Sequence, residues 1–499
     1  MPIPPHFRSY MEQRWRAEAV QRLCLGLEGE AQVSLRINSR RFAPATLPEG
    51  CCGRVPWCPD GYCLSLRPTF TADPLLHAGA YYVQEASSQF VHHVAAWLMA
   101  TGTVQPRLAL DLCAAPGGKS TLLRALLPDE CLLLCNEPLR PRAQVLAENM
   151  AKWGHQGVVV TCAYADAIAT VMRQARRGDA LFDLIMADVP CSGEGMFRKE
   201  ADAVAGWSAA AVAECAARQR AIVADIWPTL RPGGVLLYST CTFNPEEDED
   251  NVEWICRHLG AKVMPIPVAD AWHIDGDLRA PSCEGVSTLM QHTLHPLTAT
   301  PCTLTAGTLH PDGQHPAPTF LPVCHLLPGT VQGEGFFIAA LVKDADSEAI
   351  AQPAARPSRR SKEQAAMPLA CYLAQALPSL PTDMLDVPPV PAAKAHTTHH
   401  AASAPRAHGK GHVGTQPEKN SPTTDTLPVV ELTLADAFAY LQHQAIQLPA
   451  GTPRGVVQVA FHGMRLGLCN NLGPRANNMY PQAWRIRSSH ITPHSLWGN

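Results

Sequence analysis

The chain has no uninterrupted apolar run approaching the roughly 18–20 residues a bilayer-spanning helix needs, although 46% of its 499 residues are apolar. Met1-Pro2-Ile3-Pro4-Pro5 lacks the charged and apolar regions of a secretory leader. A large net charge is missing as well. At −4 overall, any grip on nucleic acid must come from a local basic surface. There is no internal repeat. Cysteine, by contrast, is plentiful at 18 residues, but diluted over a long chain, and Cys51, Cys52, Cys58 and Cys63 form no clean CxxC pairs. No zinc or other metal site is expected. Free thiols in a reducing cytoplasm are expected instead, several of them inert core residues.

At this length the chain divides into two or three domains. The first 95 or so residues mix a helical start, Met11 to Leu27, with alternating stretches such as Val33-Ser34-Leu35-Arg36-Ile37. From Leu108 to Val342 short apolar runs alternate with helical segments, the pattern of a βαβ series and a parallel sheet. Strands are expected at Leu108–Leu112, Leu132–Cys135, Val158–Thr161, Leu181–Ala187 and Val235–Ser239. Helices are expected at Lys119–Leu127, Arg140–Lys152 and Ala209–Leu230, with a late antiparallel strand, Gly335 to Leu341, at the sheet edge. From about Asp344 to Leu427 Ala, Pro, Ser, Thr and His dominate, the composition of a disordered linker, and His396, His399, His400, His408 and His412 there are read as incidental. Order returns after Val429, with a short helix around Ala435–Gln442 and strands at Val456–Phe461 and Met464–Leu468.

Asp111-Leu112-Cys113-Ala114-Ala115-Pro116-Gly117-Gly118-Lys119-Ser120 falls where the first of these strands gives way to its helix. In an open α/β sheet ligands bind beyond the carboxyl ends of strands, and small residues let the backbone approach them closely. A Walker loop is excluded, because the GxxxxGK[ST] spacing is absent. The next strand ends at Glu137, about 20 residues after the glycine loop and suited to ribose hydroxyls. The third leads into Asp166, suited to an adenine amino group. This order favours an adenosine-containing cofactor and leaves a nicotinamide and S-adenosylmethionine equally open.

The fourth strand runs into Asp188-Val189-Pro190-Cys191-Ser192 and the fifth into Ser239-Thr240-Cys241-Thr242. Both ends face the cleft of the glycine loop, so both thiols are expected to point at one substrate. A thiolate adding to carbon 6 of cytosine makes carbon 5 nucleophilic enough to take a methyl group. Asp188 suits the ring's N3 edge.

These motifs, with Phe243-Asn244-Pro245-Glu246-Glu247 and Asn251, closely resemble the Sun (Fmu) family of RNA cytosine carbon-5 methyltransferases. Leu35-Arg36-Ile37-Asn38 and Tyr81-Tyr82-Val83-Gln84-Glu85-Ala86-Ser87-Ser88 follow the same pattern, so the resemblance covers roughly residues 1–343. It implies a Rossmann-like S-adenosylmethionine-dependent methyltransferase domain (96–343) behind an N-terminal α+β RNA-binding domain (1–95). The cofactor would be held by Cys113, Ala114, Ala115, Pro116, Gly117, Gly118, Lys119, Glu137, Asp166 and Asp188. Cys241 would be the nucleophile, Cys191 would assist product release, and Asp188 would serve catalysis.

Val55-Pro56-Trp57-Cys58-Pro59-Asp60-Gly61 and Gly193-Glu194-Gly195-Met196-Phe197-Arg198-Lys199 resemble the RsmF-type bacterial subgroup. The C-terminal piece (428–499) resembles its PUA-like RNA-binding domain, through Gly473 to Pro481 and Trp484-Arg485-Ile486-Arg487. Arg454, Arg465, Arg475, Arg485 and Arg487 outnumber Glu431 and Asp436 there, suiting phosphate, and Tyr480 or Trp484 would stack on a base. The resemblance implies small-subunit ribosomal RNA as substrate and partner, with neither DNA nor membrane. Transfer RNA as substrate, and a non-catalytic ribosome-assembly factor, are the alternatives. The chain departs from the subgroup at 344–427, where a longer ordered segment is usual, and at Gly329, where histidine is frequent.

Overall fold

The computed structural model of the chain describes residues 3–176, 182–279, 320–344, 427–488 and 490–498. The stretch expected as a linker, with its five histidines, lies outside the described residues apart from its two end positions. Contacts divide the rest into two units. One holds residues 3–40, 50–67 and 81–344, the other 41–49, 68–80 and 427–498, so the N-terminal 95 residues contribute to both.

In the first unit the expected N-terminal helix is two helices, α1 (Phe7–Glu12) and α2 (Ala17–Glu28). The chain breaks between them because Trp15 is drawn into the core and Arg16 is extended, with φ −62° and ψ 136°. Strands β1 (Val33–Ile37), β2 (Cys51–Arg54), β3 (Gly61–Leu64) and β4 (Tyr81–Val83) form an antiparallel sheet in the order β2-β3-β1-β4. Helix α3 (Pro74–His77), between β3 and β4, belongs to the second unit.

Helix α4 (Phe90–Ala100) leads into the alternating series: β5 (Leu108–Asp111), α5 (Gly118–Leu126), β6 (Leu132–Asn136), α6 (Arg140–Trp153), β7 (Val158–Thr161), α7 (Ala165–Arg176) and β8 (Phe182–Asp188). Then come α8 (Ala201–Gly206), α9 (Ala209–Ile226), β9 (Leu230–Thr240), α10 (Glu249–Leu259), β10 (Ala261–Met264), β11 (Cys324–Leu326) and β12 (Phe336–Lys343). The sheet order is β10-β12-β9-β8-β5-β6-β7, with β11 added on β12. Strands β5 to β9 pair in parallel, as the alternation of strand and helix requires.

Neighbouring residues on these strands pack to opposite faces. Leu110, Ile185, Leu236 and Phe337 fill one core, while Leu133, Met186, Leu237 and Ile338 fill the other. The apolar runs are therefore strands covered on both sides. Each such fully buried side chain contributes about 1.5–3 kcal/mol.

Two expectations are corrected. The late strand is antiparallel but lies inside the sheet, between β9 and β10, with Phe336 to Leu341 all buried. Short β10 takes the edge; it carries too few residues to show a period. Helix α9 stops at Ile226, not Leu230, because Pro228 offers no N–H to continue it and a 3-10 turn follows.

In the second unit β13 (Val429–Glu431) runs parallel to β14 (Gly455–Phe461), which forms a hairpin with β15 (Met464–Asn471); β16 (Ala476–Asn478) closes the sheet. The hairpin turns at His462-Gly463, both at positive φ (50° and 72°), the conformation a two-residue turn needs. Helix α11 (Leu434–Leu441) is capped by Thr433, whose hydroxyl accepts the Asp436 N–H at 3.2 Å. Segment 68–80 joins this unit through Asp73, which accepts the Leu496 N–H at 3.2 Å. No helix among the described residues is long and apolar enough to cross a membrane.

One close approach in the first unit is set by glycine alone. A Cβ on Gly26 of α2 would lie 1.9 Å from the Pro328 carbonyl oxygen, and Gly329 opposite has φ +87°. Gly26→Ala should therefore cost about 1–3 kcal/mol, read from the urea midpoint of the full chain. Gly206→Ala, with nothing within 4 Å of its Cβ position, should stay within about 0.5 kcal/mol.

Candidate active site at the carboxyl edge of the sheet

β5 delivers Asp111 to the carboxyl edge of the sheet, and the chain turns through Leu112–Gly117 into α5. Gly117 makes the turn at φ +115°, open to glycine without strain, with Leu146 3.3 Å from where a Cβ would stand. The Ala115–Pro116 peptide is cis. Asp111 is fully buried. Ser120 donates to its Oδ2 at 2.6 Å, while its Oδ1 has no partner among the described residues. Burial pushes this carboxyl up to about 7. Burial also raises the Cys113 thiol far above its ordinary range.

Glu137 follows β6 and is buried. It accepts the Leu139 N–H at 3.0 Å and pairs with Arg142 at 3.2 Å; Arg142 also donates to the Ala115 carbonyl at 3.0 Å. Asp166 is half-buried in the first turn of α7, its carboxylate accepting the Ala167 N–H at 2.8 Å. Asn136, which the motif reading passed over, ties these loops together. Its amide donates to the carbonyls of Leu112 and Ala163 at 3.0 and 2.9 Å, and its oxygen accepts from Thr161 at 2.9 Å. Its only signal in the sequence is its place beside Glu137.

Lys119 leaves the glycine loop for the next strand end. Its Nζ is 2.9 Å from Asp188 Oδ2 and 5.0 Å from the Phe336 ring centroid. Ser239 donates to Asp188 Oδ1 at 2.7 Å. Burial works against the Lys119 charge, but the charge and hydrogen bond of Asp188 outweigh it, so the lysine holds its proton more tightly than usual.

Beyond Asp188 the two thiols meet, with Cys191 Sγ 3.2 Å from Cys241 Sγ. Both are free and half-buried. The hydrogen bond to Cys241, and then burial, hold the Cys191 thiol well above its ordinary range. An ammonium–carboxylate pair and a thiol pair thus share one strand edge. That set can hold a polar ring edge while a sulfur attacks the ring.

Two buried acids beside the thiols, Glu194 and Glu247, received no role from the motifs. Burial, with repulsion from Glu194 next, pushes Glu247 up to about 7. Among the described residues one group, Asp248, Glu249 and His325, has spacing that would admit a metal. There His325 Nε2 is 2.9 Å from Glu249 Oε1, and Thr240 donates to Asp248 at 2.5 Å. Cys63 instead donates to Gln332 at 3.2 Å, and Cys58 is buried. In the second unit Arg454, Arg465, Arg475, Arg485 and Arg487 are exposed. Tyr480 is not: it is 3% exposed, packed on Tyr440 at 5.4 Å and Trp484 at 6.3 Å. The expectation that Tyr480 offers a stacking face is corrected.

A doubly wound sheet with a glycine loop, acidic strand ends and paired thiols defines the class as an α/β methyltransferase fold. The family model for 16S rRNA methyltransferase RsmB/F matches residues 101–342. The models for the N-terminal domain of 16S rRNA methyltransferase RsmF and for the RsmF PUA domain match 3–86 and 427–486. The chain belongs to the RsmB/F methyltransferase family.

Ribosomal RNA small subunit methyltransferase F of Klebsiella pneumoniae is 35% identical over 244 residues, 48% of this chain and 49% of the relative. That of Citrobacter koseri is 36% identical over 259 residues, 50% and 51% of the two chains. The chain spans about half the length of the curated relatives it matches. Among solved structures, a methyltransferase homolog protein from Pyrococcus horikoshii is 22% identical at a TM-score of 0.46, covering 66% of this chain and 92% of its own. NSun6 of the same organism, solved with SFG, is 17% identical at 0.45, covering 69% and 99%.

Asp111 makes stability depend on pH. With its carboxyl raised to about 7, the native state keeps a proton that the unfolded chain releases near pH 4, so stability falls as pH rises between those values. Asp111→Asn removes this contribution. The stability of the variant relative to the parent should rise steadily from pH 4 to 7 and then level off, as read from denaturant midpoints in matched buffers.

Proposed function

We propose that this chain methylates carbon 5 of a cytosine in small-subunit ribosomal RNA, with S-adenosylmethionine as methyl donor and Cys241 as nucleophile. The observation that carries this reading is the Cys191–Cys241 pair, 3.2 Å apart, beside Lys119 and Asp188. The names of the relatives and of the matching family models agree with it.

The donor set suits the cofactor. An ammonium, ribose hydroxyls and an adenine amino group are hydrogen-bond donors; Asp111, Glu137 and Asp166 are acceptors at successive strand ends, one Asp111 oxygen being unpartnered among the described residues. Cys113 to Lys119 and Asp188 would complete the pocket. When bound, the cofactor supplies an electrophilic methyl group.

The chain's own residues do the rest. Cys241 bonds to carbon 6, and the electrons of the ring double bond move to carbon 5 and toward N3. Lys119 and Asp188 hold the N3 edge and offset the charge that gathers there. A base takes the carbon 5 proton, its electron pair restores the double bond, and the carbon–sulfur bond breaks as Cys241 leaves as a thiolate, with Cys191 assisting departure. The target base must leave its stack to reach this edge. Residues 96–343 would carry the transfer in the cytoplasm. Residues 1–95 and 428–499 would grip RNA, the exposed arginines of the latter on phosphates.

Bisulfite sequencing of small-subunit RNA from a deletion strain should show one cytosine losing protection, regained with the parent gene and not with Cys241→Ala. Cys191→Ala should instead accumulate an RNA–protein adduct that survives a denaturing gel. Methylation unchanged by Cys241→Ala, or an adduct with that variant alone, would overturn the assignment.

A further inference from the structure

The two thiols sit on separate loops, 189–193 after β8 and 241–248 after β9. Nothing in a parallel sheet by itself holds such loops at hydrogen-bonding distance. Here each loop sends a fully buried glutamate into the other. Glu194, from the Cys191 side, accepts the backbone N–H groups of Phe243 and Asn244 at 2.7 and 3.2 Å. Glu247, from the Cys241 side, accepts the backbone N–H of Ser192, the residue after Cys191, at 3.1 Å.

Asn244 spans both acids, donating to Glu194 and Glu247 at 2.9 Å each. Gln219 of α9 fastens the brace to the core, with its amide 2.6 Å from Glu247 and 2.9 Å from the Pro190 carbonyl. Ser192 and Thr242, each next to a thiol, touch hydroxyl to hydroxyl at 3.1 Å. The Gly195 N–H donates to the Cys241 carbonyl at 2.8 Å, and a Cβ at Gly195 would stand 2.8 Å from that oxygen.

Neither glutamate is ion-paired to a lysine or arginine among the described residues; backbone and amide N–H groups reach both, and the Trp207 indole N–H also donates to Glu194 at 2.9 Å. Their acceptor geometry is therefore directional, and losing one acid strands buried N–H donors on the opposite loop. A simple loop anchor would need one carboxylate. Two, crossing in opposite directions and meeting at Asn244, constrain the separation between the loops.

We propose that Glu194 and Glu247 are reciprocal positioning residues that set the distance between the Cys191 and Cys241 sulfurs, and with it the balance between attack and release. The second half rests on the function proposed above; the first does not.

The test uses the full chain and dibromobimane, which fluoresces once both of its arms have alkylated thiols. Peptide mass spectrometry assigns the bridge to Cys191 and Cys241 among the other cysteines. In Glu247→Gln and Glu194→Gln, with size kept and one acceptor lost, bridging should slow roughly tenfold to a hundredfold. Single alkylation of Cys241 by monobromobimane should hold near the parent rate. Glu247→Ala should show the larger loss where it folds, and the Gln variants carry the test where it does not. Bridging at the parent rate, or bridging and single alkylation falling together, overturns the proposal. With RNA and cofactor, trapped adduct should rise relative to methylated product in the Gln variants. A parent chain that bridges but never methylates would overturn the proposed function and leave the distance-setting role standing.

Discussion

Carboxylates withheld from water govern one edge of this molecule. Asp111, Glu137, Glu194, Glu247, Asp248 and Glu249 are all buried near the carboxyl ends of the central strands, where Arg142 pairs with Glu137 and Lys119 with Asp188. A buried acceptor left unmade costs about 1–3 kcal/mol, and an ionised one more. The loops around Glu137, Glu194 and Glu247 therefore adopt conformations that bring backbone N–H groups to these oxygens. Ser192, Phe243 and Asn244 present their backbone N–H groups to Glu247 and Glu194, and in doing so they bring two cysteines fifty positions apart to 3.2 Å.

The N-terminal sheet serves the same edge from behind. Arg36 is buried against the Trp153 ring and donates to Gln84 and to Thr121 of α5, so it ties β1 and the turn after β4 to the helix after the glycine loop. Glu85 accepts the N–H groups of Ser87, Ser88 and Glu334 at 2.7–2.8 Å. Glu334 pairs with Arg198, on the turn beyond Cys191, at 2.8 Å. The Leu35–Asn38 and Tyr81–Ser88 motifs thus act on the site by holding its supports, not by touching its thiols. The interior place of β12 fits this arrangement, since it carries Phe336 under Lys119 and continues from Glu334.

Much of this was legible before any coordinates. The βαβ alternation, the glycine turn, the acids after β6 and β7 and at the end of β8, and both cysteines follow from local rules: period, turn chemistry and position at a strand end. Legibility failed where a residue's role depends on its distant partner. Short β10 has no readable period, so β12 was expected at an edge. Tyr480 looks like an exposed ring until Tyr440 and Trp484 enclose it. Glu194 and Glu247 look like surface acids in a polar run until the backbone of the opposite loop surrounds them.

The sequence by itself determined the parallel sheet, the order of the strand-end loops and the residues those loops deliver, because each depends on neighbours within a few positions. Only the tertiary structure decided that Lys119 turns to Asp188, that Asn136 and the two glutamates tie loops together, and that the sulfurs touch. Those facts depend on which buried N–H faces which oxygen across the fold. Burial makes each mismatch costly, and burial is a property of the assembled core, which no single stretch of chain contains.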